Sequence, residues 1–282
     1  MQLLKHHPLK FQIPIDLGHL KGHGIFYSTK NGRWFVVLRK DDFELNNYVS
    51  LKELDEIAEE LIKKFLGKDK DCFCIDIDRF AIDYLGLNIE YVNFAEDDLR
   101  KTGFLGNGEA SILIWLGKRK FKYVCPEKTI LIDKYLLDKS EQNKRRFVVA
   151  HEAAHFILNK INKKQIAAFH NEFDSEVRYT PSQLQSMMTF NELQADRLGA
   201  ALLMPRFAIE KNISKTINNA PLTLYGKTYI DRADKQKIRL MAEKANVSYT
   251  SLLIRMKNLN LFRQGNLGDY LLNELNIGGD VL

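Results

Sequence analysis

The sequence predicts an α+β fold: a small mixed sheet packed on two long helices, with a helical C-terminal part and a β-rich N-terminal part. Three observations point there. Short runs of β-branched and aromatic residues, bounded by turn residues, fill the first half of the chain. Two longer stretches, about 138–160 and 190–204, carry apolar residues at helical spacing. The chain from about residue 206 is helical with short breaks. With 282 residues, 45% hydrophobic and 28% charged, it has enough apolar sequence for one good core and smaller appended units.

Residues 1 to about 50 read as β-rich. In GIFYSTKNGRWFVVLRK two aromatic and β-branched runs flank Lys30-Asn31-Gly32, a hairpin signal. From Ser50 the period changes. Leu51, Leu54, Ile57, Ala58, Leu61, Ile62 and Phe65 form one helical stripe, Ser50 and Glu53 have capping-box spacing, and Gly67 closes the helix. A second helix is predicted in IDRFAIDYLGL. NIEYVNF, SILIWLG, KFKYVC and TILID read as short strands, with hairpins between them. Helix resumes at about 138 and runs through Lys160, with Phe147, His151, Ala154, His155 and Leu158 on one face. The segment between Asn162 and Phe190 is irregular and polar, and NELQADRLGAALLMP returns to helix, ended at Pro205. Three units are expected: a β-rich extension over 1–50, a main domain over 51–207 and a helical subdomain over 208–282.

Composition narrows the setting. No apolar run approaches the roughly eighteen residues of a membrane span, and the N-terminal stretch lacks a signal-peptide layout. Three cysteines, an odd and low count, fit a reducing compartment, so a cytoplasmic protein with no membrane partner is expected. Cys72 and Cys74 alternate in DCFCIDI and are expected on one face of a strand, as small buried residues with Cys125, since zinc sites space their cysteine pairs more widely. The net charge of +6 permits nucleic-acid contact without arguing for it, because no long Lys/Arg run stands out.

The chemistry-bearing stretch is VVAHEAAHFIL, residues 148–158. His151 and His155 lie one turn apart on one side of a helix, about 5–6 Å between Cβ atoms, as two imidazoles converging on one metal ion require. Glu152 projects about 100° away, beside such an ion, where a general base belongs. The competing reading is a helix with two partly buried histidines and a surface glutamate. A third ligand decides between them. The histidine of the HExxHxxGxxH scheme is missing, because Leu158 and Ile161 stand at its last two positions. In NELQAD, Glu192 and Asp196 share a helical face with Ala195 and Gly199, small residues that permit close approach, while Leu198, Ala201 and Leu202 face a core. Glu192 can then complete the site, and Asp196 can accept the spare N–H of His151. His170, Glu172, Asp174 and Glu176 are weaker rivals, being on a loop.

RRFVVAHEAAHFIL followed by NELQADRLGAALLMP resembles the ImmA/IrrE family of metallo-endopeptidases. LDEIAEELI, LGLNIEYVNF, TGFLG and TILID fall in that family's order, so the resemblance covers about residues 52–206. Two features depart from it: the step from His155 to Glu192 is long, and residues 1–50 have no counterpart. The resemblance implies a zincin-like, gluzincin-type core in which Zn2+ is held by His151, His155 and Glu192, with Glu152 as general base in peptide hydrolysis. It implies a protein substrate such as a helix-turn-helix repressor of a phage or mobile element. Tyr179 or His170 is expected to supply an oxyanion donor, and an extended substrate is expected along a sheet edge formed by SILIWLG or TILID.

One other function is open. Ile238, Met241 and Ala242, a break at Asn246-Val247-Ser248, then Leu252, Leu253, Met256 and Leu259 give two short helices around a tight turn, as in a helix-turn-helix. Lys244, Tyr249, Arg255 and Lys257 are then candidates to face phosphates or bases. On that reading the chain is a DNA-binding regulator with a structural peptidase-like core. The alternative is a helical subdomain packed beside the cleft.

Overall fold

The main sheet in the computed structural model, which describes residues 25–30, 33–38, 49–67, 72–96, 101–161, 168–171 and 190–273, is mixed. Its four strands are β3 (Asn88–Val92), β4 (Lys101–Leu105), β7 (Thr129–Asp133) and β8 (Ala168–Asn171), in the order β3-β7-β4-β8. β3 runs parallel to β7, and β4 pairs antiparallel with both β7 and β8. A two-stranded hairpin of β5 (Ser111–Leu116) and β6 (Arg119–Val124) and an N-terminal hairpin of β1 (Ile25–Lys30) and β2 (Arg33–Leu38) complete the part before the long helices. The arrangement is α+β with small sheets and several helices, as the residue patterns predict.

Three strand expectations are corrected. Not every neighbour makes a hairpin: β3 pairs with β7 in parallel, so the chain must cross over between them, and β4 with the β5–β6 hairpin forms that crossover. TILID is not a sheet edge. It is β7, flanked on both sides and buried over its first four residues, which is why it reads as continuously apolar. SILIWLG, or β5, lies outside the main sheet, with its far side bonded to the segment after β3 through Trp115 N–H to Asn93 O at 2.8 Å. Among the described residues the outer strands of the main sheet are β3 and β8. The DCFCIDI stretch is not a strand either: Cys72 Sγ donates to Cys74 O at 2.6 Å, and the two cysteines are half-buried.

The first helix, α1 (Leu51–Leu66), begins as its sequence requires. Ser50 Oγ accepts from Glu53 N, and Glu53 Oε2 accepts from Ser50 N at 2.7 Å, the reciprocal capping box. Leu54, Ala58 and Ile62 bury, whereas Leu51, at the exposed start, does not. Next come α2 (Ile77–Arg79), which continues as a π-turn over Phe80–Tyr84, the long α3 (Gln142–Ile161) and α4 (Phe190–Leu203). The C-terminal part holds α5 (Arg206–Ile217), α6 (Arg232–Ala245), α7 (Tyr249–Asn258) and α8 (Leu267–Asn273), with a small parallel pair of β9 (Thr223–Tyr225) and β10 (Arg263–Gly265).

One apolar cluster runs through these helices. It joins Leu54 and Ile62 of α1, Ile130 and Ile132 of β7, Val148 to Leu158 of α3, Leu198 and Leu202 of α4, and Ile238, Met241, Leu252 and Met256 of α6 and α7. A second, smaller cluster of Phe104, Ile112, Ile114, Cys125 and Leu131 fills the space between the opposite sheet face and the β5–β6 hairpin. Alternation along β4 and β7 produces this division: Leu131 and Phe104 face the hairpin, while Ile130, Ile132 and Leu105 face the helices. α3 is therefore buried nearly all round between residues 148 and 158 rather than along one face.

Arginines tie the helices into place. Arg145 makes a two-pronged contact with Asp78, at 2.9 and 2.6 Å, and reaches Tyr91 Oη at 2.8 Å, which holds the start of α3 to α2 and β3. Arg146 bridges Ile75 O at 2.9 Å and Asn246 O at 3.0 Å. Arg255, expected on a DNA-facing surface, is instead only 4% exposed: it donates to Met204 O at 3.0 Å and is ion-paired with Asp55. The helical period places it one turn from Leu252 and beside Met256, on the core side of α7.

The Asp55–Arg255 pair should matter more than a surface ion pair. Asp55→Asn leaves the Arg255 charge buried, while partial exposure of Asp55 lets water soften the loss, so a cost of about 2 kcal/mol is expected. Ser50→Ala should cost about 1 kcal/mol. Urea unfolding of both variants checks the order, and a smaller cost for Asp55→Asn would mean that the pair is fully screened.

Candidate metal centre

Two helices build the site. α3 brings His151, Glu152 and His155, and α4 brings Glu192 and Asp196. The helices pack against each other, and Gly199 of α4 lies directly against the backbone of α3 at His151. A Cβ placed there would lie 3.1 Å from the Cα and N of His151 and 3.2 Å from the carbonyl carbon of Ala150. These are backbone atoms with little room to give, so the missing side chain is what lets Glu192 and Asp196 reach across.

The histidines meet at their outer nitrogens. His151 Nε2 and His155 Nε2 are 2.9 Å apart, and the rings stand edge to face with centroids 4.6 Å apart. Glu192 faces both, with Oε2 3.2 Å from His151 Nε2 and Oε1 3.3 Å from His155 Nε2. On its other side His151 donates from Nδ1 to Asp196 Oδ1 at 2.7 Å. A carboxylate oxygen can only accept here, so Nδ1 carries the hydrogen and a neutral His151 would present a bare Nε2.

The three facing groups fit a metal ion. Their donor atoms lie within 4.8 Å of one another. Bonds of 2.0–2.1 Å in a tetrahedron place neighbouring donors about 3.3 Å apart, and the separations seen are 2.9–3.3 Å. Two imidazoles and a carboxylate suit a divalent ion of borderline softness, and three protein donors, the number found among the described residues, leave a coordination position open.

Charge in the cluster is set by burial and by these bonds. Burial opposes a proton on His151, but the bonds to Asp196 and Glu192 outweigh it and push its pKa up to about 10. Burial dominates at His155 and lowers it, with the neighbouring His151 acting in the same direction. Burial also opposes ionisation of Glu192, yet the bonds from both histidines pull it down to about 2. Without metal the centre therefore holds His151 as the cation, His155 neutral and Glu192 ionised.

Glu152 is fully buried on the side of α3 that faces the sheet. A Cβ at Gly103 of β4 would fall 2.7 Å from Glu152 Oε1 and 2.5 Å from Val148 Cγ1, so a glycine in the strand makes the space that the carboxyl occupies. Gly103 has no place in the residue-pattern reading of the site; its trace in the sequence is a lone glycine between strand-forming residues in TGFLG. Of the expected oxyanion donors, Tyr179 lies outside the described residues. His170 falls in β8, where its backbone pairs with Gly103, and its side chain lies outside the described residues. Glu172, Asp174 and Glu176 also lie outside them. Cys125 is no part of the site: it is buried beneath the hairpin with its thiol pushed up to about 12, mainly by burial. No helix among the described residues is long and apolar enough to cross a membrane.

A family model described as the IrrE N-terminal-like domain, of a metallopeptidase family, matches residues 116–257. That span includes α3, α4, α5, α6 and all five residues of the cluster. No curated protein matches the chain.

Two outcomes follow from this geometry. Gly199→Val should hold the helices apart and weaken metal binding by at least about tenfold, with stability falling by about 1–3 kcal/mol; competition titration with a chromogenic chelator reads the affinity, and unchanged binding would show that the close approach is not needed. The second concerns protons. The His151 pKa is raised above its ordinary 6.5, so its contribution to the stability of metal-free protein is complete below that pH and is lost as pH rises through about 10. Metal needs His151 neutral, so loading near pH 8 should release about one proton. Calorimetry in buffers of different ionisation enthalpy measures this, and zero release would refute the protonated His151.

Proposed function

We propose, from the premise that the chain belongs to the ImmA/IrrE family of metallopeptidases, that it is a cytoplasmic zinc endopeptidase with a zincin-like core, acting on a protein substrate. The observation that carries the reading is the convergence of His151, His155 and Glu192 within 4.8 Å. The peptidase unit is assigned to residues 51–207, with 208–282 as a helical subdomain docked on it.

His151 and His155 would hold the ion through their Nε2 atoms and Glu192 through its carboxylate. Zinc, when bound, supplies Lewis acidity: it acidifies the attacking water and polarises the scissile carbonyl. Glu152, the residue after the first ligand, takes the proton of that water and hands it to the leaving amine. The carboxyl is held between α3 and the Gly103 gap, which limits the orientations it can take. Asp196 keeps the Nδ1 hydrogen of His151 in place, so that Nε2 stays aimed at the ion. β8, an outer strand that packs on α3, is the edge on which an extended substrate would add as a further strand. The substrate we favour is a transcriptional repressor of a phage or mobile element, as the resemblance implies.

The DNA-binding alternative loses one of its cationic contacts, since Arg255 serves the core. On α7 the candidate Lys257 is half-buried, and the exposed position next to it is the apolar Ile254, at 42%.

Four variants separate the roles. Elemental analysis should find roughly one zinc per chain in wild-type protein and none in His155→Ala or Glu192→Ala. Glu152→Gln should keep the zinc and abolish cleavage of a co-expressed repressor, a loss of at least about a hundredfold. Asp196→Asn should weaken zinc affinity by about 10–100-fold. If Glu152→Gln still relieves repression in cells, catalysis is not the function.

A further inference from the structure

Of the three candidate ligands, Glu192 has the least secure footing. It lies in the first turn of α4, where main-chain N–H groups lack partners within the helix and where helices fray. His151 and His155 sit well inside α3, which starts at Gln142 and ends at Ile161. Contacts to the two Nε2 atoms hold the Glu192 carboxylate from one side only. A ligand stays in place when the turn that carries it is also held from behind.

Gln194 is placed to do this. It follows Glu192 by two residues and precedes Asp196 by two, so it projects about 200° away from both around the helix axis. That side of α4 is turned from the metal donors, and there Gln194 is only 4% exposed. Its Nε2 donates to Val49 O at 2.8 Å. A carbonyl can only accept, so the nitrogen is the end of the amide that must face it. Val49 directly precedes the capping box of Ser50 and Glu53, and the acceptor therefore belongs to chain already fixed by α1. The far end of α4 is tied to α1 as well. Arg255 joins Met204 O to Asp55, and Phe207 N donates to Glu59 Oε1 at 3.3 Å. α1, which packs on α4, thus acts as a splint fastened at both ends.

Packing alone does not call for an amide at this position. Gln194 Oε1 is buried without a hydrogen-bond partner, which costs stability. An unbranched methionine would fill the space without burying an acceptor. What the amide adds is the bond from its nitrogen. We propose that Gln194 is a positioning residue for the metal centre: its bond to Val49 O fixes the first turn of α4, and with it the place of the Glu192 carboxylate against His151 and His155. The role presupposes that those three residues hold a metal, and Gln194 acts on the ion only through Glu192.

Gln194→Met removes the bond and the orphaned oxygen together, and it leaves Val49 O, on a half-buried residue, to water. In the full-length metal-free chain its melting temperature should stay within about 2 °C of wild type or rise. Zinc binding, read by chelator competition, should nevertheless weaken at least about threefold. A side chain that served stability alone would give the reverse, a lower melting temperature with unchanged affinity. Gln194→Glu keeps the shape but sets a carboxyl oxygen against Val49 O, so it should weaken zinc at least as much. A third measurement needs no metal. The amides of residues 194–196 bond back across the first turn, and their hydrogen exchange, followed by NMR, should quicken at least about threefold in Gln194→Met while that of α3 stays the same. Failure of wild-type protein to bind zinc would sink the metal reading, and the exchange rates would then decide the clamp by themselves. Loss of folding in Gln194→Met, zinc affinity equal to wild type in that variant, or unchanged exchange in the first turn would each overturn the proposal.

Discussion

The hydrogen bond from His151 Nδ1 to Asp196 Oδ1, at 2.7 Å, ties the two halves of the candidate metal centre together. It joins the helix that carries two of the candidate ligands to the helix that carries the third. It also decides which nitrogen of His151 faces Glu192 and His155. The bond depends on the helices lying nearly in backbone contact, which Gly199 permits by having no side chain to place against His151. Ala195, fully buried a turn earlier, keeps the same seam narrow. A small-residue face on α4 and a polar pair on that face are therefore one device: the first brings the backbones together, and the second uses the proximity.

The rest of the described chain holds that seam in register. Arg145 and Arg146 tie the N-terminal end of α3 to α2, β3 and the turn after α6, while Arg255 ties α7 to the end of α4 and to α1. Their bonds to main-chain oxygens satisfy carbonyls that the core would otherwise strand. The sheet contributes from the other side, with β4 and β7 under α3 and Gly103 opposite Glu152. The C-terminal helices share the apolar cluster with α3 and α4, so they buttress the metal helices as well as extend the chain.

How much of this can be read from the chain alone differs by the range of the interaction. His151, His155, Glu192 and Asp196 are legible because i, i+4 spacing on a helix is a local property, and because Ala195 and Gly199 advertise a close approach. The capping box at Ser50 is legible for the same reason. The pairing of β3 with β7 is not, since nothing within NIEYV or TILID states which distant strand it will meet. TGFLG hides as the strand β4 because Gly103 breaks the alternation, and the gap that conceals the strand is what accommodates Glu152. Arg255 is misread for a related reason: a cation on a short helix looks solvent-facing until the acid that meets it, Asp55, arrives from far away in sequence.

Electrostatics explain why these groups should sit together in an apolar interior at all. Glu192 and Asp196 both point at His151, and Glu152 adds a third carboxyl close by, so the pocket gathers acidic groups among buried alanines and valines. Without metal, the proton on His151 is the cation that balances part of their charge, which is why its pKa rises although burial pulls the other way. His155 cannot share that role, because two imidazolium rings whose Nε2 atoms are 2.9 Å apart would repel and burial already disfavours the charge. One proton is thus the most that the histidine pair supports, against several carboxylates. A divalent ion held where the three donors meet would supply twice that charge, and His151 would then give up its proton to solvent. The two imidazoles and the Glu192 carboxylate therefore converge on a point at which a divalent cation could be held, before any question of substrate arises.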